Sequence, residues 1–137
     1  MTNAVVDVQP PTLPRWRPFW VSVGIVLLIV VMYLALLPLR KIVPGLQFSD
    51  KIAHFLVFAG LMVWFAAQVR PERYIWVLLA LLSYGAGMEV LQALRPHRAA
   101  EFADLIADAG GLAAGWWLCR LGLDRWPHWI EGWFERS

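Results

Sequence analysis

The sequence has few charged residues and a single cysteine. Of its 137 residues only 16% are charged, whereas a soluble globular domain carries roughly 25%. The one cysteine, Cys119, cannot form a disulfide within the chain, and no Cys/His spacing typical of a zinc site occurs. Basic runs and basic–aromatic interleaving are also missing, so we expect no nucleic-acid partner. Cys119 lies in an apolar context and is expected to be a packing residue.

Apolar residues and tryptophan take the place of charge. Hydrophobic residues make up 60% of the chain, and nine residues are Trp. Trp is enriched where a membrane meets water, so this composition favours a lipid environment. The net charge of +2 is explained by basic residues that flank membrane spans.

Four apolar runs predict an all-α membrane protein, a four-transmembrane-helix bundle, over residues 19–120. The spans are expected at about 19–37, 52–69, 74–94 and 102–120. The first run has no charge over its nineteen residues, and a bilayer core requires about twenty; we expect it to be retained rather than cleaved. Residues 1–18, with four prolines, predict a flexible N-terminal arm.

The C-terminal segment 124–137 predicts an amphipathic helix. Its apolar residues recur at helical spacing: Trp126, Trp129, Ile130, Trp133 and Phe134. The segment is too short and too charged to span a bilayer, so we expect it to lie in the headgroup region. The alternative is a helix docked on the bundle.

The distribution of Lys and Arg predicts the orientation. One side of the predicted bundle carries both termini and the RPER turn, with Arg15, Arg17, Arg70, Arg73, Arg120, Arg125 and Arg136. The other side carries Arg40, Lys41, Lys51, Arg95 and Arg98. Because positive residues favour the cytoplasmic side, we expect a multi-pass protein of the bacterial inner membrane with both termini in the cytoplasm.

Polar residues interrupt the predicted spans at the opposite, extracytoplasmic end. Several share a helix face by spacing, as Asp104 and Asp108 do at i, i+4. The topology predicts that one pocket collects Asp50, Lys51, His54, Glu89, Gln92, Arg95, Arg98, Glu101, Asp104 and Asp108. A charge at membrane depth costs at least roughly 2.5–3.5 kcal/mol, so such groups usually pair and mark function. The structural alternative is that Glu89 pairs with Arg98 or His54 and that Asp104 caps its helix.

Small residues are concentrated in the third and fourth spans. Gly111 and Gly115 have the small-xxx-small spacing that lets helices approach closely in lipid, and Gly85 and Gly87 follow the same logic. These glycines predict close packing between the third and fourth spans. A seam between two copies of the chain, and hence a homodimer, is the alternative.

The spacing of these polar residues resembles the signature of the VanZ-like family, small membrane proteins named for a teicoplanin-resistance factor. The resemblance covers about residues 19–120. Its motif is E-x-x-Q-x-x-x-P-x-R-x-x-x-x-x-D, matched by Glu89, Gln92, Pro96, Arg98 and Asp104. DKIAHF (Asp50 to Phe55) matches the opening motif, and Gly111 and Gly115 match the closing G-x-x-x-G. Asp108 departs from the family, which commonly has Asn there. The resemblance implies a link to susceptibility to glycopeptide or lipoglycopeptide antibiotics, and no reaction.

Binding of an anionic lipid or lipid-linked envelope headgroup is the first functional hypothesis. Arg98 and Arg95 would contact phosphate, because Arg offers bidentate geometry. The remaining candidate ligand-binding residues are Gln92, Lys51, Asp50 and Asp108. The expected partners are membrane lipids, a lipid-linked cell-wall precursor or a lipoglycopeptide.

A membrane-embedded enzyme acting on a lipid or glycan headgroup is the second hypothesis. Its candidate catalytic residues are Glu89, His54 and Asp104, with Glu89 or His54 as general base. A divalent metal is the one cofactor considered, with candidate ligands Glu89, Asp104, Asp108 and His54. No activated Ser or Cys nucleophile is visible in the sequence.

A small transporter or proton relay is the third hypothesis. Glu89, His54 and the two aspartates Asp104 and Asp108 would pass protons along the pocket. This is the least favoured of the three hypotheses, because the four spans contain no internal repeat and alternating access is usually built from repeats.

Overall fold

A computed structural model of the chain describes residues 12–37, 47–94 and 102–136, with only the backbone of 47–49. Within these ranges all regular structure is helical, which confirms the all-α prediction. The helices are α1 (Arg17–Leu36), α2 (Gln47–Ala66), α3 (Tyr74–Ala93), α4 (Phe102–Arg120) and α5 (Trp126–Phe134). One-turn 3-10 helices, Pro71–Arg73 and Leu123–Arg125, lead into α3 and α5.

Two of the described helices are long and apolar enough to cross a membrane. They are α1 and the stretch Pro71–Ala93, which contains α3. The outward side of α1 is apolar, with Ile25, Val26, Ile29 and Tyr33 each 50–64% exposed. Such a surface is unfavourable in water and suits contact with lipid. These observations are compatible with a membrane protein, and the prediction of four spans remains a prediction, because α2 and α4 do not pass the same test.

Among the described helices, α2 and α4 make the most extensive contact. At Gly111 the missing side chain leaves room for the carbonyl oxygen of Phe55, and a Cβ at Gly115 would lie 2.6 Å from the carbonyl oxygen of Ala59. The two backbones therefore approach as closely as small residues allow. The sequence predicted that these glycines pack against the third span, whereas they pack against α2.

Helix α1 is attached to the other helices by side-chain hydrogen bonds to its backbone carbonyls. The donors lie on α2 and α3 and reach α1 at different heights along its axis. The bonds are Trp64 Nε1 to Trp20 O (3.1 Å), Tyr84 Oη to Leu28 O (2.7 Å) and Gln92 Nε2 to Ala35 O (2.8 Å). Interhelical hydrogen bonds of this kind stabilise helix association in lipid, where the hydrophobic effect between helices is absent.

The centre of the bundle is filled by side chains of α2, α3 and α4. Phe58, Met62, Met88 and Leu112 are each at most 1% exposed. Cys119 is 4% exposed and belongs to the same cluster. The core therefore lies between the α2–α4 pair and α3, with α1 packed on one side.

The carboxylate of Glu131 on α5 binds the chain just before and within the first turn of α1. Its Oε2 accepts the backbone N–H of Arg15 (3.0 Å), and its Oε1 accepts the backbone N–H of Trp16 (2.9 Å). The indole Nε1 of Trp20 donates to Oε1 as well (3.1 Å). Of the predicted arm 1–18, the structure describes residues 12–18: Thr12, Arg15 and Trp16 contact α5, and Arg17 and Pro18 already belong to α1. Residues 1–11 lie outside the described ranges.

Aromatic rings complete the contact between α5 and the bundle. The ring of Trp126 lies 4.5 Å from that of Trp64 and 4.9 Å from that of Trp20, between ring centroids. Trp129 and Trp133, by contrast, are 60% and 63% exposed. The helix therefore docks on the bundle through its start and leaves a Trp-containing face outside. Its placement in the headgroup region remains a prediction.

Acidification is expected to release this contact. Burial alone raises the pKa of the Glu131 carboxyl, but the N–H donors of Trp16, Trp20 and Arg15 lower it, and the pKa falls below its ordinary value of 4.5. A depressed carboxyl pKa contributes stability that is fully present above pH 4.5 and is lost as the pH falls through the lowered pKa. The protection factors of the Arg15 and Trp16 amides, which compare their exchange with the intrinsic rate at the same pH, should fall over that interval.

Glu131→Ala should produce the same loss of protection at neutral pH, because it leaves buried N–H donors unsatisfied at a cost of about 1–3 kcal/mol. Glu135→Gln is the matched control, since the Arg15–Glu135 ion pair is exposed (75% and 61%) and contributes roughly 0–1 kcal/mol. Equal exchange rates in the two variants would show that Glu131 does not hold this segment.

Candidate functional site

Two polar bridges join the start of α2 to the start of α4. Lys51 Nζ lies 3.0 Å from Asp104 Oδ1, and His54 Nδ1 lies 2.8 Å from Asp108 Oδ1. Asp104 and Asp108 are one helical turn apart on α4, and Lys51 and His54 are nearly one turn apart on α2, so the bridges are stacked along the helix pair. The close approach at Gly111 turns these faces toward each other.

Asp50 adds a third carboxylate to the site, close to Asp104 and His54. Donor atoms of Asp50, His54 and Asp104 all lie within 4.8 Å of one another. The Asp104 side chain is 3% exposed, that of His54 10% exposed and that of Lys51 41% exposed. The site is therefore buried on the α4 side and accessible on the side of Lys51.

Asp108 forms the buried floor of the site. It is fully buried, and its Oδ2 has no hydrogen-bond partner among the residues that the structure describes. Gly85 on α3 makes room for it, since a Cβ there would lie 2.6 Å from Oδ2. The ring of Phe58 runs parallel to that of His54, with the centroids 6.5 Å apart and the planes 4° apart. Both neighbours restrict how the His54–Asp108 pair can move.

The two polar residues predicted on the third span occupy different environments. Glu89 is 7% exposed and lies one turn after Gly85, on the side of α3 that faces Asp108. Gln92 is 2% exposed and donates its side-chain N–H to the carbonyl of Ala35 on α1. Gln92 was predicted as a ligand-binding residue, and in the structure its amide nitrogen holds the end of α1.

An apolar cavity of about 250 Å³ adjoins the polar site. Asp50 and His54 form its polar end, and the other lining residues are Val31, Leu34, Ala35, Ala53, Val57, Phe58 and Met88. Leu34 and Val57 are themselves 47% and 36% exposed, so the cavity reaches the lateral surface between α1 and α2. His54 therefore lies where the polar site meets the apolar cavity.

The structure brings together five of the seven predicted site residues that it describes. The described candidates Asp50, Lys51, His54, Asp104 and Asp108 converge, and Glu89 is buried nearby. Arg95, Arg98 and Glu101 lie outside the described ranges 12–37, 47–94 and 102–136. The Nδ1 of His54 contacts Asp108, and the suggested pairings of Glu89 stay predictions.

Sequence reasoning missed three contributors to the site. Gly85 was interpreted as a helix-packing residue, and α1 was given no part in the pocket, although Leu34 and Ala35 line its cavity. Phe58 was overlooked as well. The i, i+4 spacing of His54 with Phe58 and of Gly85 with Glu89 was available in the sequence. Nothing in the sequence indicates the contribution of α1, because its apolar run contains no charged residue.

Replacing Gly85 by Ala tests the fit of Asp108 against α3. The added methyl group meets Asp108 Oδ2 at 2.6 Å and Phe58 Cζ at 3.1 Å, and overpacking of this kind costs about 1–3 kcal/mol. We expect Gly85→Ala to lower the thermal unfolding midpoint of the detergent-purified protein.

Gly87→Ala is the matched control on the same helix. A Cβ at Gly87 meets nothing within 4 Å, and Ala favours a helix over Gly by about 1 kcal/mol, so its midpoint should be unchanged or higher. A Gly85→Ala variant as stable as Gly87→Ala would contradict the placement of Asp108.

Comparison with known proteins gives one match. The model of the VanZ/LLP1 family matches residues 35–123, about two thirds of the chain. The matched region contains the polar bridges, Glu89 and the glycines of the α2–α4 contact, and it excludes most of α1 and all of α5. No curated protein and no solved structure shows significant similarity to the chain.

Proposed function

The chain belongs to the VanZ/LLP1 family, and on that premise we propose that it is an inner-membrane protein that binds an anionic lipid headgroup at the α2–α4 polar site. One observation carries the proposal: the apolar cavity ends on Asp50 and His54. A site that is polar at one end and apolar at the other matches an amphiphile. A purely structural tie between helices requires no cavity.

The headgroup would be held at the accessible side of the site. The Lys51 side chain is 41% exposed while its partner Asp104 is buried, so the ammonium group faces the entrance and can take a phosphate oxygen. Arg95 and Arg98 follow α3 in the sequence and would supply bidentate contacts to the same phosphate. Asp104 and Asp108 then act by orienting Lys51 and His54.

The acyl or prenyl chain of the lipid would enter the cavity from the side. The opening beside Leu34 and Val57 faces the lateral surface of the bundle. A volume of about 250 Å³ holds part of a lipid chain, and the rest would run along the outside of α1 and α2. Access through the bilayer requires no passage through water.

The leaflet that contains the site and the class of lipid that it binds follow from this proposal. The described arginines Arg15, Arg17, Arg70, Arg73, Arg120, Arg125 and Arg136 lie away from the site, near the opposite helix ends. Since positive residues favour the cytoplasmic side, four spans would place the site in the outer leaflet. There the protein would bind a phospholipid or a lipid-linked cell-wall precursor, and change how a lipid-anchored glycopeptide antibiotic meets its target.

Lipid retention tests the proposal. The probe is phosphatidylglycerol in mixed micelles, with phosphatidylcholine as the uncharged competitor, and bound lipid is counted by native mass spectrometry. Lys51→Met should weaken retention about tenfold, because a charge-assisted hydrogen bond contributes about 1.5 kcal/mol. Arg98→Ala should weaken it further, and Ala53→Trp should block the chain by filling the cavity.

Each of these variants has a control. Ile52→Trp places the same bulk one residue away, on an exposed position that does not line the cavity. Arg70→Met removes an exposed cation beyond the far end of α2. Both should retain phosphatidylglycerol like the native chain. Retention that survives both Ala53→Trp and Arg98→Ala would place the lipid elsewhere and overturn the proposal.

The orientation is tested by labelling in intact cells. In a Cys119→Ala background, Lys51→Cys should react with a membrane-impermeant maleimide added outside, because Lys51 would face the outer leaflet. Glu72→Cys, on the exposed turn before α3, should react only after the cells are opened. The reverse pattern would invert the topology.

A further inference from the structure

We propose that Asp50, His54 and Asp104 form a binding site for a divalent transition-metal cation, which holds the phosphate of the lipid headgroup. The role assigned to the cation rests on the proposed headgroup site, while cation binding itself does not. The site differs from the ligand set expected from sequence. It includes Asp50 as a ligand, and Asp108 contacts His54 instead of binding the metal.

The distances suit a metal ion after a small adjustment. The three donor atoms lie within 4.8 Å of one another. Donors on one tetrahedral Zn²⁺ ion are each about 2.0–2.2 Å from it and so about 3.3–3.6 Å apart. Side-chain movement of about 1 Å would bring the three donors to that spacing. Asp50, at the start of α2 and only partly buried, is the ligand that can move.

Asp108 orients His54 in the manner of an outer-shell residue at a metal site. Because an ionised carboxylate can only accept, the Nδ1–H of His54 donates to Asp108 Oδ1 at 2.8 Å, which leaves Nε2 as the nitrogen with a lone pair for a metal. Metal-binding histidines almost always donate their other ring N–H to a carboxylate or carbonyl. The parallel ring of Phe58 limits rotation of the imidazole.

The second oxygen of Asp108 independently indicates a cation. The Asp108 side chain is fully buried and contacts His54 of the cluster through Oδ1, while its Oδ2 lies beside Gly85 on α3 and has no hydrogen-bond partner within the described ranges. A buried carboxylate oxygen without a donor is costly. A divalent charge bound by His54 would reduce that cost by attracting the Asp108 carboxylate.

Lys51 occupies the place of a cation when no metal is bound. Its Nζ lies 3.0 Å from Asp104 Oδ1, and its side chain is 41% exposed on a flexible stem. The ammonium group can therefore withdraw toward the entrance, where the proposed phosphate lies, when a metal takes Asp104. The cation and Lys51 would then both contact the phosphate.

The donor set selects the class of cation. Two carboxylates and one imidazole suit Mn²⁺, Fe²⁺ or Zn²⁺ better than Ca²⁺, which prefers six to eight oxygen ligands. Three protein ligands leave coordination positions open. A phosphate oxygen of the headgroup would fill one of them.

The test measures Mn²⁺ binding to the delipidated, detergent-purified protein by electron paramagnetic resonance. The native chain should bind one Mn²⁺. Asp50→Asn and His54→Gln, which remove a ligand, should abolish binding, and Asp108→Asn should weaken it about 10–100-fold, the effect typical of an outer-shell partner. Lys51→Met should tighten it by removing the competing ammonium group. Glu72→Gln, an exposed carboxylate on the turn before α3, should bind like the native chain.

Retention of phosphatidylglycerol with and without a chelator separates this inference from the proposed function. Mn²⁺ binding together with chelator-sensitive retention supports both. Retention that is indifferent to the chelator, in a protein that binds no Mn²⁺, overturns the cation site and leaves the headgroup site standing. Mn²⁺ binding without retention overturns the headgroup site alone. Since Asp50 is only partly buried, Asp50→Asn should fold, and its unchanged Mn²⁺ binding would exclude this ligand set.

Discussion

The close approach of α2 and α4 is the constraint on which the rest of the structure depends. Gly111 and Gly115 bring the two backbones into direct contact, and any larger side chain there would overlap a carbonyl of α2. That contact fixes the rotation of both helices. Lys51 and His54 consequently face the α4 aspartates, and a pair of bridges replaces what would be isolated charges in an apolar bundle. Without the glycines the same polar residues would have no common interior.

Many residues of the site were predictable from the sequence, but few of the contacts between them were. Helical spacing placed Asp104 and Asp108 on one face, and helix topology placed the start of α2 beside them. Spacing within a helix cannot tell which residue of another helix a side chain meets, because that depends on helix rotation. The partners of His54, and the helix against which Gly111 packs, were therefore not predictable. Gln92 shows the same limit: a polar residue in an apolar run indicates a buried partner, and here the partner is a backbone carbonyl of α1.

Helix α1 gives the site its amphipathic character. It contributes no charged group to the site, yet its side chains close one side of the cavity that ends at His54. Its hold on the bundle depends on hydrogen bonds at separate points and on the small residue Gly24 packed against Phe65. This side of the cavity leaves an opening beside Leu34. At the proposed headgroup site, that opening would admit a lipid chain from the side.

Cross-linking in native membranes tests the central claim, the convergence of α2 and α4 at the polar site, most directly. In a Cys119→Ala background, His54→Cys with Asp108→Cys should form a disulfide under mild oxidation. Asp108→Cys paired instead with Ile52→Cys, on the exposed side of α2, should not form a disulfide. Gly111→Leu should abolish the first cross-link by separating the helices. Equal cross-linking of both pairs, or a 54–108 cross-link that persists with Gly111→Leu, would contradict the account.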